Sequence, residues 1–171
     1  MPQAVVHVLF AIIALDLIRD HLIKDKKKIS LHYVFIGGVA GLLPDIDIPI
    51  YWLLKNVLGL NVPFFHRLFT HTIFFGMIFL AIAIAFYKPG RKVNKTSTLF
   101  AIVSFGIMLH ILLDFIFLGT VMPFYPLSYN AVGLDLLTKT GFALASQGLE
   151  AIFLLWWLWH EEKTHKISDF I

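Results

Sequence analysis

The longest apolar run in the chain, Thr98 to Thr120, constrains the fold more than any other feature of the sequence. It exceeds the roughly 20 residues with which a helix crosses a hydrocarbon core about 30 Å thick. The run nevertheless contains His110 and Asp114, although a charged residue at the centre of a membrane helix costs about 2.5 to 3.5 kcal/mol. We therefore expect a membrane-spanning helix whose two ionisable side chains have partners or a function.

The composition extends this expectation to the whole chain. Of its 171 residues, 58% are hydrophobic and 15% are charged, whereas soluble domains have about 45 to 50% and about 25%. We expect a single transmembrane helical domain over residues 1–171. The absence of cysteine excludes disulfides and thiolate metal ligands. The formal charge of +3 is too small to indicate nucleic-acid binding.

Five apolar segments are predicted to cross or enter the bilayer. They are Gln3 to Ile18, Ile29 to Leu43, His71 to Tyr87, Thr98 to Thr120 and Gly141 to His160. The second is short and is expected to end at Pro44, because a proline disfavours helical geometry in the residue before it. Ile50 to Leu60 is expected to form a short helix at the membrane surface, and Thr120 to Lys139 a structured loop. The predicted fold is an all-α polytopic membrane bundle with about five embedded segments and short interfacial helices.

The basic residues predict the orientation of the chain. Eleven of the fourteen fall in three places, namely Arg19 to Lys28, Lys88 to Lys95, and Lys163 with Lys166. Five alternating spans place all three on one side, and the positive-inside rule makes that side the cytoplasm. We therefore expect a multi-pass protein of a prokaryotic plasma membrane, with its N-terminus outside and its C-terminus in the cytoplasm.

At the predicted cytoplasmic side, the polar and aromatic residues are expected to have structural roles. Asp16 is rotated by about half a turn from His7 along the first helix, and we expect it to pair with nearby basic residues. Interfacial anchoring is expected of Trp156, Trp157 and Trp159. Solvated side chains are expected for His21, His32, His160, His165, Glu161 and Glu162.

A set of sequence-distant histidines and carboxylates is predicted to converge near the outer face. His7 lies within about 8 Å of that end of the first helix, and Glu150 about 13 Å down the last. His110 and Asp114 share one helix face, and Gly106, one turn earlier, leaves room for a neighbouring backbone. The candidate metal ligands are His7, Asp45, Asp47, His66, His71, His110, Asp114 and Glu150. Their carboxylates would repel one another without a cation.

Each of these residues also has a structural interpretation. His7 is as well explained by a hydrogen bond to a neighbouring helix. The Asp45 to Asp47 region could be a turn with a helix cap, and His66 to His71 an interfacial loop. Arg67 could take a phosphate oxygen of a substrate or bind lipid headgroups. The metal hypothesis rests on the whole set.

Imidazoles and carboxylates without thiolates suit Zn²⁺, and also Mn²⁺ or Fe²⁺. Seven or eight ligands exceed the needs of one tetrahedral zinc ion, so two or more ions are predicted. Two ions roughly 3.5 to 4 Å apart can hold a hydroxide that cleaves a phosphoester. The candidate catalytic residues are Asp45 and Asp47, one or the other of which would assist proton removal, and Arg67, which would offset developing charge.

Four short motifs occur in order along the chain, and His7 precedes them. They are Leu42 to Asp47, His66 to His71, His110 to Asp114 and Pro126 to Ser128. Over about residues 5 to 130 they resemble the YdjM-like family of membrane-bound metal-dependent hydrolases. More distantly, their order resembles the zinc-dependent phospholipase C and single-strand nuclease superfamily.

The distant resemblance implies a set of zinc ligands in this chain. They would be His7, Asp45, His66 or His71, His110, Asp114 and Glu150. The free amino-terminal tryptophan of those soluble enzymes has no counterpart here, so two metals are preferred over three.

The leading functional hypothesis is a metal-dependent hydrolase of a phosphoester. A metal-bound hydroxide would attack a lipid or lipid-linked substrate presented among the membrane lipids of the outer leaflet. The alternative is a metal-binding transporter or a metal-stabilised scaffold without turnover. Transporters commonly have paired inverted repeats, which are not evident here, although an oligomer could supply them. The residues do not define the substrate.

Overall fold

The computed structural model describes residues 3–23, 29–61, 63, 67–90, 94–117, 121–136 and 146–165. These residues form helices joined by irregular connections. The extended pairing found among them is one isolated antiparallel bridge between Val121 and Val132. The all-α prediction is confirmed for the described part of the chain.

The described residues contain six α-helices, of which five follow the predicted apolar segments and one, Asp47–Trp52, follows the predicted surface helix. They are α1 (Gln3–Leu17), α2 (Leu31–Ala40), α3 (Asp47–Trp52), α4 (Ile73–Ala85), α5 (Lys95–Phe117) and α6 (Ser146–His165). Wider π turns extend α1 over Ile18–Leu22 and α3 over Leu53–Val57, and a 3₁₀ turn, Leu43–Ile46, precedes α3. The surface helix predicted from Ile50 therefore begins three residues earlier, at Asp47.

One described helix, α5, is long and apolar enough to cross a membrane by itself. The helix α2 and the segment Leu43–Val57 meet the same test only as a pair, which is bent by 47°. The break falls where Pro44 predicted it, because a proline opposes helical geometry in the preceding residue. The helix α4 is apolar but shorter. The count of five spans stays a prediction.

The helix α5 packs against α4, α2 and α1, and α1 also packs against α2 and α6. A glycine sets the distance between α2 and α5. A Cβ atom on Gly106 would lie 2.5 Å from the carbonyl oxygen of Gly37 and 3.1 Å from the nitrogen of Gly41. The prediction that Gly106 admits a neighbouring backbone is confirmed. The end of α2 is thereby brought against the turn of α5 that carries His110.

Two backbone hydrogen bonds hold the connection after α5 over one end of the bundle. The Ile73 N–H donates to the Pro123 carbonyl at 3.0 Å, and the Leu134 N–H donates to the Phe115 carbonyl at 2.8 Å. The start of α4 and the end of α5 are thus tied to the same segment. These are the ends that carry His71 and Asp114.

At the opposite end of α1, the structure changes two predictions. Glu161 was predicted to be a surface residue, but it is only 8% exposed, and His160 is partly buried rather than solvated. Both are covered because α6 packs against α1 at this end. His21 and His32 are exposed as predicted. The side chains of Glu162 and His165 lie outside the described part.

The predicted pairing of Asp16 with a basic residue is confirmed, since Arg19 Nη1 lies 3.4 Å from Asp16 Oδ1. Trp156 and Trp159 are exposed, as membrane anchors would be. Trp157 instead donates its Nε1–H to Asp16 Oδ2 at 3.3 Å. This tryptophan therefore joins α6 to α1.

Candidate metal centre

Five of the eight predicted ligands meet at one end of the bundle. They come from four parts of the chain: His7 from α1, Asp45 from the 3₁₀ turn, His71 from the approach to α4, and His110 with Asp114 from α5. All except Asp45 are buried, and the side chain of Asp45 is 28% exposed. Asp45 is therefore the member of the cluster that solvent can reach.

Two imidazoles and two carboxylates make the centre of the cluster. His71 Nε2 lies 3.2 Å from His110 Nε2, 3.4 Å from Asp45 Oδ1 and 3.6 Å from Asp114 Oδ2. His110 Nε2 lies 3.7 Å from Asp45 Oδ1 and 3.8 Å from Asp114 Oδ2. The Nε2 atom of each of these two imidazoles thus faces both carboxylates.

His7 extends the cluster on the other side of Asp114. Its Nε2 lies 3.1 Å from Asp114 Oδ1, and its ring stacks on that of His110 with 4.0 Å between centroids. Ligand atoms of His7, His110 and Asp114 all lie within 4.8 Å of one another, as do those of Asp45, His71 and His110. Because its two oxygens face different imidazoles, Asp114 could bridge two ions.

Backbone packing fixes the tautomer of His110. Its Nδ1–H donates to the carbonyl oxygen of Gly41 at 2.6 Å. The lone pair of the neutral ring is then on Nε2, which faces the cluster. This arrangement, with the second ring nitrogen held by an oxygen acceptor, is usual for histidines that bind metals.

A side-chain network surrounds the Nδ1 atom of His71 and is compatible with the same tautomer. The hydroxyl of Thr70 donates to Asp47 Oδ2 at 3.0 Å. Its oxygen is then available to accept the Nδ1–H of His71, 3.2 Å away. With the proton on Nδ1, the lone pair of His71 is on Nε2 and points into the cluster.

The Nε2 atoms of His71 and His110 thus face each other across 3.2 Å, with two carboxylates beside them. Four hydrogen-bond acceptors in a buried place repel one another unless a cation or proton lies among them. The nitrogen and oxygen donor set is one that Zn²⁺, Mn²⁺ and Fe²⁺ accept. The described residues therefore fit a divalent metal.

Asp47 lies behind His71 rather than among the facing donors. It is buried, its Oδ2 accepts hydrogen bonds from the Arg67 N–H at 3.1 Å and from Thr70, and it lies 3.9 Å from His71 Nδ1. This oxygen orients the backbone and the imidazole that carry the site.

Arg67 lies at the edge of the cluster. Its Nε is 3.7 Å from Asp114 Oδ2. Its φ is 65°, an uncommon conformation for a residue other than glycine. The hydrogen bond from its N–H to Asp47 holds this conformation. The guanidinium is therefore presented beside the ligands.

Two predicted ligands cannot be located in the cluster. His66 lies outside the described residues, and Glu150 lies on α6 without a described side chain. Sequence reasoning also missed two participants, the Gly41 carbonyl and the Thr70 hydroxyl. Every residue has a carbonyl, so nothing in the sequence singles out Gly41. The position of Thr70 next to His71, in contrast, is a sequence signal that could have indicated its role.

An open hollow of about 300 Å³ adjoins the site. Asp47 and Thr70 form part of its wall. The rest is apolar or aromatic and includes Ile46, Ile50, Phe69 and Tyr125. A predominantly apolar wall beside polar, metal-compatible residues suits an amphipathic molecule.

The fold and the site together define a helical membrane protein with a buried histidine and aspartate cluster of metal-ligand type. Residues 1–167 match the model of a family described as YdjM inner membrane protein, and the chain belongs to that family. The predicted YdjM-like resemblance is confirmed, and an inner-membrane family agrees with the predicted prokaryotic plasma membrane. No curated protein and no solved structure matches the chain. The distant likeness to phospholipase C and nuclease enzymes stays a prediction.

Proposed function

We propose that this protein is a membrane-embedded metal-dependent hydrolase that cleaves a phosphoester of a lipid or lipid-linked substrate. The observation that carries the proposal is the pair of imidazole nitrogens that face each other at 3.2 Å between two carboxylates. Such an arrangement is costly unless a cation occupies it. The arginine at its edge gives the cluster a group that recognises phosphate.

His71, His110, Asp45 and Asp114 would hold one ion, and Asp114 with His7 would contribute to a second. Zn²⁺ suits these donors best, with Mn²⁺ or Fe²⁺ as alternatives. When bound, two such ions supply Lewis acidity and an activated water, as in other phosphoesterases with paired metals.

The residues of the chain would then divide the remaining work. Asp45 is the most exposed of the five ligands, so it is the carboxylate best positioned to take a proton from incoming water. Arg67 would hold a phosphate oxygen and offset the negative charge that develops on it. Asp47, acting through Thr70, would keep His71 in the tautomer that binds metal.

The adjoining hollow supports a lipid as the substrate. Its volume and apolar wall suit part of an acyl or prenyl chain. A headgroup phosphate at Arg67 would then place its apolar portion against Ile46 and Phe69. The orientation predicted from the basic residues would put this end of the bundle at the outer leaflet.

The test uses the full-length protein purified in detergent. Metal content is measured first, and release of phosphate or headgroup is then measured on a panel of phospholipids and lipid-linked phosphates. We expect a chelator to abolish turnover and added Zn²⁺ or Mn²⁺ to restore it. His71→Asn and Asp114→Asn should lose both metal and turnover.

The matched control is His32→Asn, because His32 is exposed and lies on α2 outside the cluster. It should keep both metal and turnover. A loaded protein that releases nothing from any phosphoester would contradict the hydrolase proposal. A metal-binding transporter or a metal-stabilised scaffold would then explain the cluster better.

A further inference from the structure

A second group of metal-ligand type lies at the opposite end of α1. Asp16 and His7 are nine positions apart, which is about 13 Å along a helix axis. Ligand atoms of Asp16, His160 and Glu161 all lie within 4.8 Å of one another. Asp16 belongs to α1 and the other two belong to α6, so the group lies where these helices pack together.

Glu161 has a buried oxygen without a partner. The residue is 8% exposed, and its Oε1 has no hydrogen-bond partner among the described residues. His160 Nδ1 lies 3.6 Å from this oxygen, and it is itself buried and without a hydrogen bond in the described part. An unsatisfied buried carboxylate oxygen is costly, so a proton or a cation is indicated beside it.

The second nitrogen of His160 contacts another histidine. His160 Nε2 lies 3.4 Å from His21 Nε2, so one of the two rings donates to the other and the contact holds the His160 ring in place. The Nδ1 atom of His160 then faces the Glu161 oxygen at 3.6 Å. A ring nitrogen and a buried carboxylate oxygen thus lie side by side, as they do in the candidate metal centre.

Asp16 is held in place by Trp157 and Arg19, and the three ligand side chains together still lack positive charge. Its Oδ2 accepts the Nε1–H of Trp157, and its Oδ1 contacts Arg19 Nη1. The same Nη1 also contacts Asp20, so the single charge of Arg19 is shared by two carboxylates before Glu161 is counted. Trp157 and Glu161 are one turn apart on α6, and both face α1 through Asp16.

We propose that Asp16, His160 and Glu161 form a second divalent-cation site that fastens α6 to α1. It is separate from the candidate metal centre of His7, Asp45, His71, His110 and Asp114, which is called the outer cluster after its predicted orientation. One imidazole and two carboxylates suit Zn²⁺ or Mn²⁺, with water completing the coordination. Trp157 and Arg19 orient the Asp16 carboxylate, and His21 orients His160. The site is independent of the proposed hydrolysis, because none of its ligands belongs to the outer cluster.

The experiment isolates this site in the full-length protein. A His71→Asn/His110→Asn chain, in which the outer cluster is disabled, is stripped with chelator in detergent and titrated with Co²⁺ or Zn²⁺. We expect it to retain one equivalent of metal per chain, a visible Co²⁺ absorption, and a higher melting temperature with Zn²⁺. Adding Glu161→Gln, which is nearly isosteric, should remove all three responses.

His160→Gln in the same background should act like Glu161→Gln. If one of the two variants loses helix content, the other supplies the test. The matched control, His32→Gln, changes an exposed histidine and should leave all three responses intact. The proposal is overturned if the background chain takes up no Co²⁺, which would mean that a proton alone occupies the group. It is equally overturned if both variants stay folded and still bind the metal.

Discussion

The behaviour of His71 depends on the residue that precedes it. The Thr70 hydroxyl lies between His71 Nδ1 and Asp47 Oδ2, so two residues outside the facing donors favour the tautomer that leaves Nε2 of His71 free to bind a metal. The same logic applies at His110, where the Gly41 carbonyl makes the selection. At this scale the site consists of ligands together with the acceptors that fix their protons.

Thr70→Val keeps the size of the side chain and removes the hydroxyl that links His71 to Asp47. We expect metal affinity to fall by about 10- to 100-fold with helix content unchanged, since groups that orient ligands usually have effects of this size. Isothermal titration with Zn²⁺ measures it. Thr96→Val, at an exposed position on α5, is the control. Equal affinity in Thr70→Val and wild type would refute the orienting role.

Arg67→Gln tests the assignment of the guanidinium to substrate. Because Arg67 lies beside the ligands but supplies none, metal content should be unchanged while turnover falls by about 100-fold, the usual loss for one transition-state hydrogen-bond donor. Gln and Lys both keep a side chain at the positive φ, so backbone strain stays comparable. Arg67→Lys should recover part of the rate. Unchanged turnover in Arg67→Gln would assign this side chain to lipid headgroups.

Among the elements, α4 and the pair α2 and α5 bear most directly on the site. The helix α4 begins at Ile73, and Thr72 is its N-cap. His71 directly precedes this cap, so the start of the helix fixes the position of that candidate ligand. The close approach of α2 to α5 at Gly106 brings the Gly41 carbonyl to His110. The ends of the helices, rather than their middles, therefore determine the site.

Thr72→Ala removes the N-cap of α4. The Thr72 hydroxyl accepts from the Phe75 N–H at 3.3 Å and donates to the Phe69 carbonyl at 2.8 Å. We expect the free energy of unfolding to fall by about 1 kcal/mol, as is typical for a lost cap. Denaturant unfolding of metal-free protein in micelles, followed by circular dichroism, measures this. Thr72→Ser keeps the hydroxyl and should lie close to wild type; a loss as large as that of alanine would rule out capping.

Gly106→Ala tests the contact between α2 and α5. The added Cβ would lie 2.5 Å from the Gly37 carbonyl, so the helices must separate, and we expect a destabilisation of about 1 to 3 kcal/mol. Because the Gly41 carbonyl moves away from His110, metal affinity should fall as well. Ala81→Leu, at an exposed position on α4, is the control for added bulk. Wild-type stability and affinity in Gly106→Ala would contradict the argument.

For the molecule as a whole, the orientation in the membrane decides which leaflet meets the site. The chain has no cysteine, so single cysteines report accessibility without background. Leu127, in the connection after α5, is 81% exposed, and Tyr87, after α4, is 60% exposed. The two positions lie beyond opposite ends of α4 and α5.

If the candidate metal centre faces out, as the basic residues predict, Leu127→Cys should react with a membrane-impermeant maleimide in intact cells. Tyr87→Cys should react only after the cells are permeabilised, because the basic segment that follows it is predicted to be cytoplasmic. The reverse pattern would place the candidate metal centre at the inner leaflet. The lipid substrate would then have to be one of that leaflet.

Much of the candidate site was predictable because its signals are local. His110 and Asp114 are one turn apart in an apolar run, which is unfavourable without a purpose, and the structure brings His7, Asp45 and His71 to them. The prediction of Asp47 as a metal ligand is not tested, but its described contacts lie behind His71. Whether a carboxylate faces the cluster or supports it depends on the rotation of a short turn, which composition does not encode.

The sequence by itself determined the helical class, the positions of the apolar segments, the break at Pro44 and the residue types that could bind metal. These features follow from hydropathy and helical period, which are properties of consecutive residues and can be read along the chain. Only the tertiary structure decided that Gly41 orients His110 and that Glu161 is buried against Asp16. Those relations depend on how closely two helices approach each other and how each is rotated about its axis. The side chains of both helices together determine this packing.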